Sequence, residues 1–322
     1  MLKPTLNQLK ILQVVAEEGS IVRAADRLHL TPPTLSIQLS KLAEHLGTPL
    51  YEVVGRRIEL TGAGRDTVAA AQAIVQELGL LEQRLAARVG VERGRLTVAT
   101  VSTGESILPK LIGAFQSAHP GLQIALNIVP RDRLLGRIDR GEDDLYLMTR
   151  PPNRTGLLIE PVGINPLVMI AHPNHPWLRD PDHSLAELAS QRFLSRERGS
   201  GTRSWIADWL SQRGMEFKPA LELGSNEAIK QAVMAGHGIA MISLHAVFAE
   251  VQAGQLALLH LPEVPMPAWW YAVRPLARQA TPATSAYLDY LKNEWPKLDA
   301  PLINMLTRLN FDVDHLAKEK AS

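Results

Sequence analysis

The first sixty residues contain three short helical runs separated by turn signals, followed by a strand-like segment. Apolar residues recur three and four positions apart in residues 5–18, and Gly19 ends this run. A second short helix is predicted from residue 20. The residues of that helix expected to face inward are Val22, Ala25 and Leu28.

The third helix, predicted over residues 32–46, presents two different faces. Two prolines are tolerated in a first helical turn, and Gly47 is a typical terminator. The apolar stripe consists of Leu35, Leu39, Leu42 and Leu46. The opposite face is mostly small or polar and consists of Pro33, Ser36, Ile37, Ser40, Lys41 and Glu44. Because such a surface fits the major groove of DNA, this is the candidate recognition helix.

A β-hairpin is predicted directly after the third helix. Residues 50–61 have the pattern of two short strands, and the connection would place Arg56 and Arg57 beside the phosphate backbone as a wing. The sequence therefore predicts a winged helix-turn-helix domain over residues 1–65, with the helix-turn-helix at about 21–40.

A long linker helix is predicted over residues 66–91, which are rich in alanine and poor in glycine. The apolar residues spaced three and four apart in it are Ala71, Ile74, Leu78, Leu81 and Leu85. This spacing is typical of a coiled-coil seam, so the helix is expected to pair with its copy in a dimer. The alternative is an ordinary amphipathic helix that docks on its own domain.

Beyond Gly94, strand-like runs alternate with helical runs. This alternation is typical of a parallel α/β sheet, and because it repeats, two lobes are predicted. Lobe I comprises residues 92–165 and 268–300, lobe II comprises residues 166–267, and a C-terminal tail, 301–322, holds one more helical stretch. The fold class is therefore an all-α winged helix-turn-helix domain, a long linker helix and an α/β, two-lobed effector-binding domain over residues 92–300.

Composition and motifs exclude several classes of protein. The formal net charge is +1, so a DNA-binding surface must come from local clustering of basic residues. The absence of cysteine excludes disulfides and thiolate catalysis and suits the cytoplasm, which is the expected location. Neither a signal-peptide pattern nor an apolar stretch of about 20 residues is present. No nucleophile elbow, HExxH motif, P-loop or Rossmann glycine motif occurs, so no enzymatic activity is predicted.

Two aromatic or imidazole clusters are predicted to be structural. His172 and His175 lie in a proline-rich turn without a third ligand, so no metal site is assigned to them. Trp269, Trp270 and Tyr271 have the pattern of a half-buried crossover strand and not of a cofactor stack. No metal or cofactor is expected.

The segment AADRLHLTPPTLSIQLSKLAEHLG, followed by LYEVVGRRIELTGAG, strongly resembles the N-terminal domain of the LysR-type transcriptional regulators. The matching positions are Ala24, Ala25, Leu28, Ser36, Leu42, Gly47, Leu50, Arg56, Leu60, Thr61 and Gly64. The linker helix and a two-lobed domain similar to periplasmic solute-binding proteins fit the same family. Within it, the TPP before Ser36 and the FLSRERGSGTR of residues 193–203 look most like the regulators of carbon-dioxide-fixation (RuBisCO or Calvin-cycle) operons.

Three features depart from the family pattern. Ile37 stands where the family usually has arginine or another polar residue, so contact with a thymine methyl is expected to replace a hydrogen bond. Tyr51 and Val53 stand where the wing often has phenylalanine and arginine, so one phosphate contact is expected to be missing. Ala43 replaces a commonly acidic residue and removes a polar contact.

Two sets of binding residues are predicted. Basic residues give affinity for phosphates, and the recognition helix reads bases. The DNA-binding candidates are Arg23, Arg27, Thr31, Pro33, Ser36, Ile37, Gln38, Ser40, Lys41, Arg56 and Arg57, and Thr31 is alternatively a helix cap. Glycine-containing turns at helix starts bind anions, and ligands of open α/β sheets bind beyond the carboxyl ends of strands, although the turn at residues 199–202 is alternatively a flexible capping loop. The effector candidates are Thr100, Ser102, Thr103, Thr149, Arg150, Arg196, Ser200, Gly201, Thr202, Arg203 and Asn226.

The resemblance implies a homo-oligomer, dimeric through the linker helix and tetrameric as the family usually is, that binds double-stranded promoter DNA. The implied effector is a phosphorylated or carboxylated metabolite, similar to ribulose bisphosphate or a nicotinamide nucleotide, that closes the two lobes. RNA polymerase is a further expected partner, and a membrane is not. The alternatives are a LysR-type regulator of another metabolic operon with a carboxylate effector, or a solute-binding protein.

Overall fold

The computed structural model describes residues 4–54, 57–88, 94–180 and 183–316, and it divides after Arg88 into two units. Unit 1 comprises the chain up to Arg88, and unit 2 comprises the remainder.

Unit 1 begins with three helices whose starts are fixed by side-chain caps. They are α1 (Leu6–Glu18), α2 (Ile21–Leu28) and α3 (Pro32–Leu46). The hydroxyls of Thr5, Ser20 and Thr31 each accept a hydrogen bond from a first-turn N–H, which satisfies a donor that has no partner inside the helix. The helices bury a common core that includes Leu9, Leu12, Ala24, Ala25, Leu35, Leu39 and Leu42.

Two residues that the helical pattern assigned to this core are exposed. Val22 is 58% exposed, because the buried face of α2 centres on Ala24 and Ala25 and Val22 lies off that face. Leu46 is 41% exposed, because it is the last residue of α3, where the chain turns away at Gly47. The predictions for Val22 and Leu46 are therefore wrong.

An antiparallel hairpin of β1 (Tyr51–Val54) and β2 (Arg57–Leu60) follows α3. The backbone N–H of Ile58 donates to the carbonyl of Gly19 at 3.1 Å, which ties the hairpin to the turn between α1 and α2. The wing that the sequence predicts is present, and Arg56 in its turn lies outside the described residues.

The linker helix α4 (Gly62–Arg88) begins before residue 66, where the sequence placed its start. Thr61 caps it, since its hydroxyl accepts from the N–H of Gly64 at 3.0 Å and donates to the carbonyl of Pro49 at 2.8 Å. Of the predicted seam, Ala71 is buried in the core of unit 1, Ile74, Leu78 and Leu81 are exposed, and the side chain of Leu85 lies outside the described residues. The start of α4 thus docks on its own domain, and the exposed stripe begins at Ile74.

Unit 2 contains two five-stranded sheets, one in each lobe. Lobe I contains β3 (Gly94–Thr100), β4 (Leu122–Ile128), β5 (Leu145–Met148), β6 (Leu157–Ile164) and β12 (Trp269–Pro275), in the spatial order β4-β3-β5-β12-β6. Lobe II contains β7 (Leu167–Ala171), β8 (Phe193–Arg196), β9 (Leu221–Leu223), β10 (Ile239–Ser243) and β11 (Ala257–Leu258), in the order β11-β7-β10-β8-β9.

Both sheets are mixed, which differs from the parallel sheets that the sequence predicts. β3 pairs in parallel with β4 and β5, but β12 runs antiparallel to β5 and β6. In lobe II, β10 is parallel to β8 and antiparallel to β7. The antiparallel strands β6, β7 and β12 adjoin the two crossings between the lobes, where Leu167 and Met266 exchange backbone hydrogen bonds of 3.0 and 2.8 Å. Because the chain passes from lobe I to lobe II and later returns, the strands next to these crossings run antiparallel to their neighbours in the sheet. The alternation of strands and helices in the sequence does not reveal strand direction.

Helices cover the sheets. They are α5 (Leu108–Ala118) and α6 (Arg131–Arg140) in lobe I, and α7 (Gly201–Ser211), α8 (Asn226–Met234) and α9 (Leu244–Gln252) in lobe II. In the part of the chain that the structure describes, no helix is both long and apolar enough to cross a membrane.

A last helix, α10 (Pro282–Arg308), spans both lobes. Its first half packs Tyr287 and Trp295 into the core of lobe I, and its last turns pack Leu302 and Leu306 into the core of lobe II. The boundary predicted at residue 300 falls inside this helix. The helix contains Pro296 and Pro301, and burial on both lobes outweighs the backbone hydrogen bonds that these prolines remove.

Candidate functional site

The outward face of α3 keeps the character that the sequence predicts. The base-reading candidates on it are Pro33, Ile37 and Ser40, which are exposed, and Ser36, which is half-buried. Lys41 is exposed one turn beyond Ile37. Gln38 differs, because its side-chain oxygen accepts a hydrogen bond from the Gln8 amide at 3.2 Å and braces α3 against α1. Thr31 caps α3, as the alternative interpretation has it.

Two of the predicted phosphate-binding arginines already have acidic partners. Arg27 contacts Glu17 at 2.6 Å and Glu18 at 3.0 Å, and hydrogen bonds to Glu18 and then Glu17 raise the pKa of Arg27. Arg23 hydrogen-bonds to the backbone carbonyl of Glu18. Since all of these side chains except Glu18 are largely exposed, the pairs are weak and could exchange for DNA phosphates. Arg57 is exposed in β2.

A polar cleft lies between the lobes, at the carboxyl ends of β3, β5 and β8. Lobe I supplies the turn after β3, the end of β5 and the start of α6, and lobe II supplies the end of β8 and the start of α7. The residues that line it are Val101, Ser102, Thr103, Pro130, Arg131, Met148, Thr149, Arg150, Arg196, Glu197, Ser200, Gly201 and Thr202. Of the predicted effector residues, eight therefore line the cleft: Ser102, Thr103, Thr149, Arg150, Arg196, Ser200, Gly201 and Thr202.

Arg196 is the central group of the cleft, and only 4% of it is exposed. Its guanidinium donates Nη1 to Asn226 Oδ1 at 2.6 Å and Nη2 to Ser102 Oγ at 2.9 Å, so it connects lobe II to lobe I. It also makes a two-pronged contact with Glu197, in which Nε and Nη2 each donate to a different carboxylate oxygen at 2.8 Å. A buried guanidinium held in this way presents the geometry that binds carboxylates and phosphates.

Two more arginines give the lobe I side of the cleft a positive charge. Arg131 donates to the backbone carbonyl of Arg150 at 2.5 Å. Burial, and after it the positive charge of Arg150, lowers the pKa of Arg131. Arg150 itself reaches across to Asp208 on α7 at 2.5 Å. The start of α7 faces the same space, and the hydroxyl of Ser200 does not cap it, so the positive end of the helix adds to the attraction for an anion.

Three predicted effector residues do not line the cleft. Thr100 is fully buried, and its hydroxyl donates to the carbonyl of Leu147 at 2.8 Å within the sheet. The guanidinium of Arg203 pairs with Glu222 at 2.7 Å and donates to the backbone carbonyl of Arg196 at 3.0 Å, outside the lining of the cleft. Asn226 acts through Arg196 instead of through the cleft surface. A side chain that ends a strand or starts a helix can point to either face, and the sequence pattern did not decide which.

Sequence reasoning missed two charged residues of the cleft. Arg131 begins α6 directly after β4, which is the same strand-to-helix position that marked Ser102 and Ser200, so this signal was available. Glu197 is the acidic residue within the basic run that suggested an anion site, and only the fold shows that it pairs with Arg196.

A larger cavity than the cleft lies elsewhere. It is an open groove of about 680 Å³ on lobe II, lined mainly by apolar side chains such as Phe248, Met305 and Leu309, whereas the cleft holds about 20 Å³. Size favours the groove, but most of its lining is apolar and Arg308 is the one arginine among its lining residues. The cleft brings cations, hydroxyls and a helix start together, which are the groups that suit an anion.

His172 and His175 have structural roles. The Nδ1 atom of each imidazole accepts a backbone N–H from the same turn, that of Asn174 for His172 and that of Trp177 for His175. Trp269 and Trp270 are buried in β12, deeper than the half-buried strand that the sequence predicts.

Two family models match the segments that form these units. One, described as the bacterial regulatory helix-turn-helix protein, lysR family, matches residues 6–65, and the other, described as the LysR substrate binding domain, matches residues 90–296. The second covers more than half of the chain. The protein belongs to the LysR family of transcriptional regulators. It is therefore a DNA-binding transcriptional regulator, and the family confirms the prediction that it is not an enzyme.

Relatives of this LysR-type regulator include proteins named for carbon fixation. The RuBisCO operon transcriptional regulator of Acidithiobacillus ferrooxidans is 42% identical over 287 residues, which is 89% of this chain and 93% of that protein. The HTH-type transcriptional activator CmpR of Synechocystis sp. is 37% identical over 90% of this chain and 96% of its own. A solved structure of the Synechocystis CcmR regulatory domain in complex with 2-PG is 34% identical, covers 63% of this chain and 98% of that chain, and has a TM-score of 0.60.

Proposed function

We propose that this LysR-type regulator controls genes of carbon dioxide fixation, and that it responds to a small phosphorylated or carboxylated metabolite bound in the cleft. The observation that carries the proposal is the buried guanidinium of Arg196, with Arg131, Arg150 and the start of α7 around the same space. An oxyanion is the ligand that such a set of donors suits. The names of the relatives, and 2-PG in the CcmR structure, support the same class of target and ligand.

The ligand candidates are 2-PG, a sugar bisphosphate similar to ribulose bisphosphate, and a nicotinamide nucleotide. Each carries at least one anionic group that could bind Arg196. The cleft volume of about 20 Å³ corresponds to one or two water molecules, so binding of any of them requires side chains to move or the lobes to separate. The effector can shift the equilibrium between states only by the difference in its affinity for them.

On the DNA side, α3 enters the major groove with Ile37, Ser36 and Ser40 toward the bases. Lys41 and the wing contact phosphates.

The protein acts in the cytoplasm as a dimer that forms through the exposed stripe of α4 and assembles further into a tetramer. At the promoter it contacts RNA polymerase. The exposed residues Ile74, Leu78 and Leu81 support the dimer.

The experiment that tests this function is a binding titration of the purified protein with the DNA upstream of its own gene. It is run at two salt concentrations, with and without ribulose bisphosphate or 2-PG, and with an unrelated duplex as control. We expect tight, salt-dependent binding to the upstream DNA that changes with one of the two phosphates.

The outcomes separate the parts of the proposal. Specific binding that responds to neither phosphate but responds to a simple carboxylate would favour a LysR-type regulator of another metabolic operon. Equal binding to both duplexes would remove α3 as a sequence-reading element.

A further inference from the structure

The carboxylate of Glu197 occupies the place on Arg196 where an anionic ligand would bind. Arg196 has two adjacent donors, Nε and Nη2, that can grip two oxygens of one carboxylate or phosphate, and Glu197 takes both at 2.8 Å. The remaining contacts of the guanidinium are with the neutral groups Ser102 and Asn226. Glu197 is therefore the one carboxylate that contacts Arg196 in the described part of the chain.

The two partners differ in how freely they can move. The side chain of Arg196 is 5% exposed and is held from both lobes, whereas that of Glu197 is 39% exposed at the edge of the cleft. Glu197 can rotate toward solvent, where water hydrates its charge, without breaking another side-chain contact of its own among the described residues. Arg196 cannot leave without losing its bonds to Ser102 and Asn226.

Asn226 is the neighbour that holds Arg196 from lobe II. Asn226 offers its carbonyl oxygen to Arg196, and its Nδ2 is buried without a hydrogen-bond partner in the described part of the chain. Asn226 binds Nη1 and does not line the cleft, so it holds Arg196 in place and leaves the Nε and Nη2 side to Glu197.

We propose that Glu197 is a built-in competitor of the effector: its carboxylate occupies the oxyanion position on Arg196, and an anionic ligand binds by displacing it. The inference rests on the proposed function, since it uses the same cleft. It makes Glu197 a residue that sets affinity and selectivity. A carboxylate ligand competes with Glu197 on equal terms, whereas a dianionic phosphate displaces Glu197 more readily.

The test is calorimetric titration of the full-length protein and of Glu197→Gln with 2-PG and with inorganic phosphate. Glutamine keeps the size of the side chain but removes the charge that competes, so we expect both probes to bind about tenfold tighter to the variant. Glu216→Gln is the matched control, because Glu216 pairs with Lys218 on the surface of lobe II and does not line the cleft. It should bind both probes as the wild type does.

Arg196→Gln separates this inference from the proposed function. If Arg196→Gln binds 2-PG as the wild type does, the anion site is not at Arg196 and both proposals fail. If Arg196→Gln loses binding while Glu197→Gln binds no tighter than the wild type, the anion site remains in the cleft. The proposal that Glu197 competes with the effector is then overturned. Absence of binding of both probes to Glu197→Gln also overturns it, because removal of the competitor must leave an open oxyanion position. Thermal unfolding of each variant checks that it is folded.

Discussion

At the scale of single residues, Gly64 shows how a short motif reports a tertiary contact. A Cβ atom at this position would lie 1.8 Å from the backbone carbonyl oxygen of Leu50, so the start of α4 can approach the strand only if residue 64 has no side chain. The glycine of the TGAG motif is therefore required by packing within unit 1.

Gly64→Ala should destabilise the DNA-binding unit by roughly 1–3 kcal/mol, since one of two backbone segments must move. The measurement is thermal unfolding together with affinity for the upstream DNA. Gly62→Ala is the control, because nothing lies within 4 Å of a Cβ there, and it should be neutral or slightly stabilising. Equal stability of the two variants would show that the contact with Leu50 is not required.

Asp299 predicts a dependence of stability on pH. Its carboxylate oxygen accepts the N–H of Ile164 at 3.2 Å next to the crossing between the lobes, and burial raises its pKa from 3.8 to about 7. His245 on α9 lies 4.0 Å away, and burial lowers its pKa to about 4, so it brings no compensating positive charge at neutral pH. The folded protein therefore holds the proton of Asp299 more tightly than the unfolded chain does, and this residue costs stability as the pH rises from about 4 to about 7.

Asp299→Asn should raise the free energy of unfolding more at pH 8 than at pH 5, by about 1–2 kcal/mol, which is less than the whole pKa shift implies because the carboxyl is partly solvated. Denaturant unfolding at the two pH values measures this. Asp289→Asn, at an exposed position of the same helix, is the control and should show no such difference. A variant that gains equally at both pH values would contradict the raised pKa.

At the scale of elements, α10 is where sequence reasoning departed furthest from the structure. Residues 302–309 were predicted as a helical stretch in a separate tail, but the structure joins residues 302–308 to one helix that contains Pro296 and Pro301. The helix instead passes through both prolines, because Trp295 is buried in lobe I and Leu302 and Leu306 are buried in lobe II. The burial of these side chains, which depends on residues far away in the chain, outweighs the low helix propensity of proline.

Leu306→Ala should cost about 2–5 kcal/mol, because the side chain is fully buried in the core of lobe II. Leu309→Ala, three residues later and 40% exposed, should cost less than about 0.5 kcal/mol. Chemical denaturation of both variants gives the comparison. If both variants lose similarly little free energy of unfolding, residues 301–309 are not packed into lobe II and form an independent tail.

At the scale of the whole molecule, the exposed apolar stripe of α4 predicts self-association. Leu78 is 41% exposed at the middle of this stripe. Leu78→Glu should convert dimers to monomers and weaken binding to a two-half-site operator, because like charges would face each other across the seam. Sedimentation at several protein concentrations measures this, with Ala73→Glu, exposed outside the predicted seam, as the charge-matched control. If Leu78→Glu sediments as the wild type does, another surface holds the dimer.

Local sequence patterns were enough to predict the helices of the DNA-binding domain, the wing, the linker helix and the two α/β lobes. These follow from periodicity, turn chemistry and capping, which act over a few residues. The sequence also located most of the cleft, because ligands of such sheets bind where strands end.

Strand direction, the path of α10 and the partner of each charged group depend on long-range packing, so they could be known only from the folded protein. Thr100 and Arg203 were predicted in the cleft but lie outside its lining, and Arg131 and Glu197 were missed, because the partner of a side chain is set by residues distant in sequence. A run such as Arg196-Glu197-Arg198 shows that charges are present. Whether a carboxylate blocks an arginine or faces water depends on the folded positions of both.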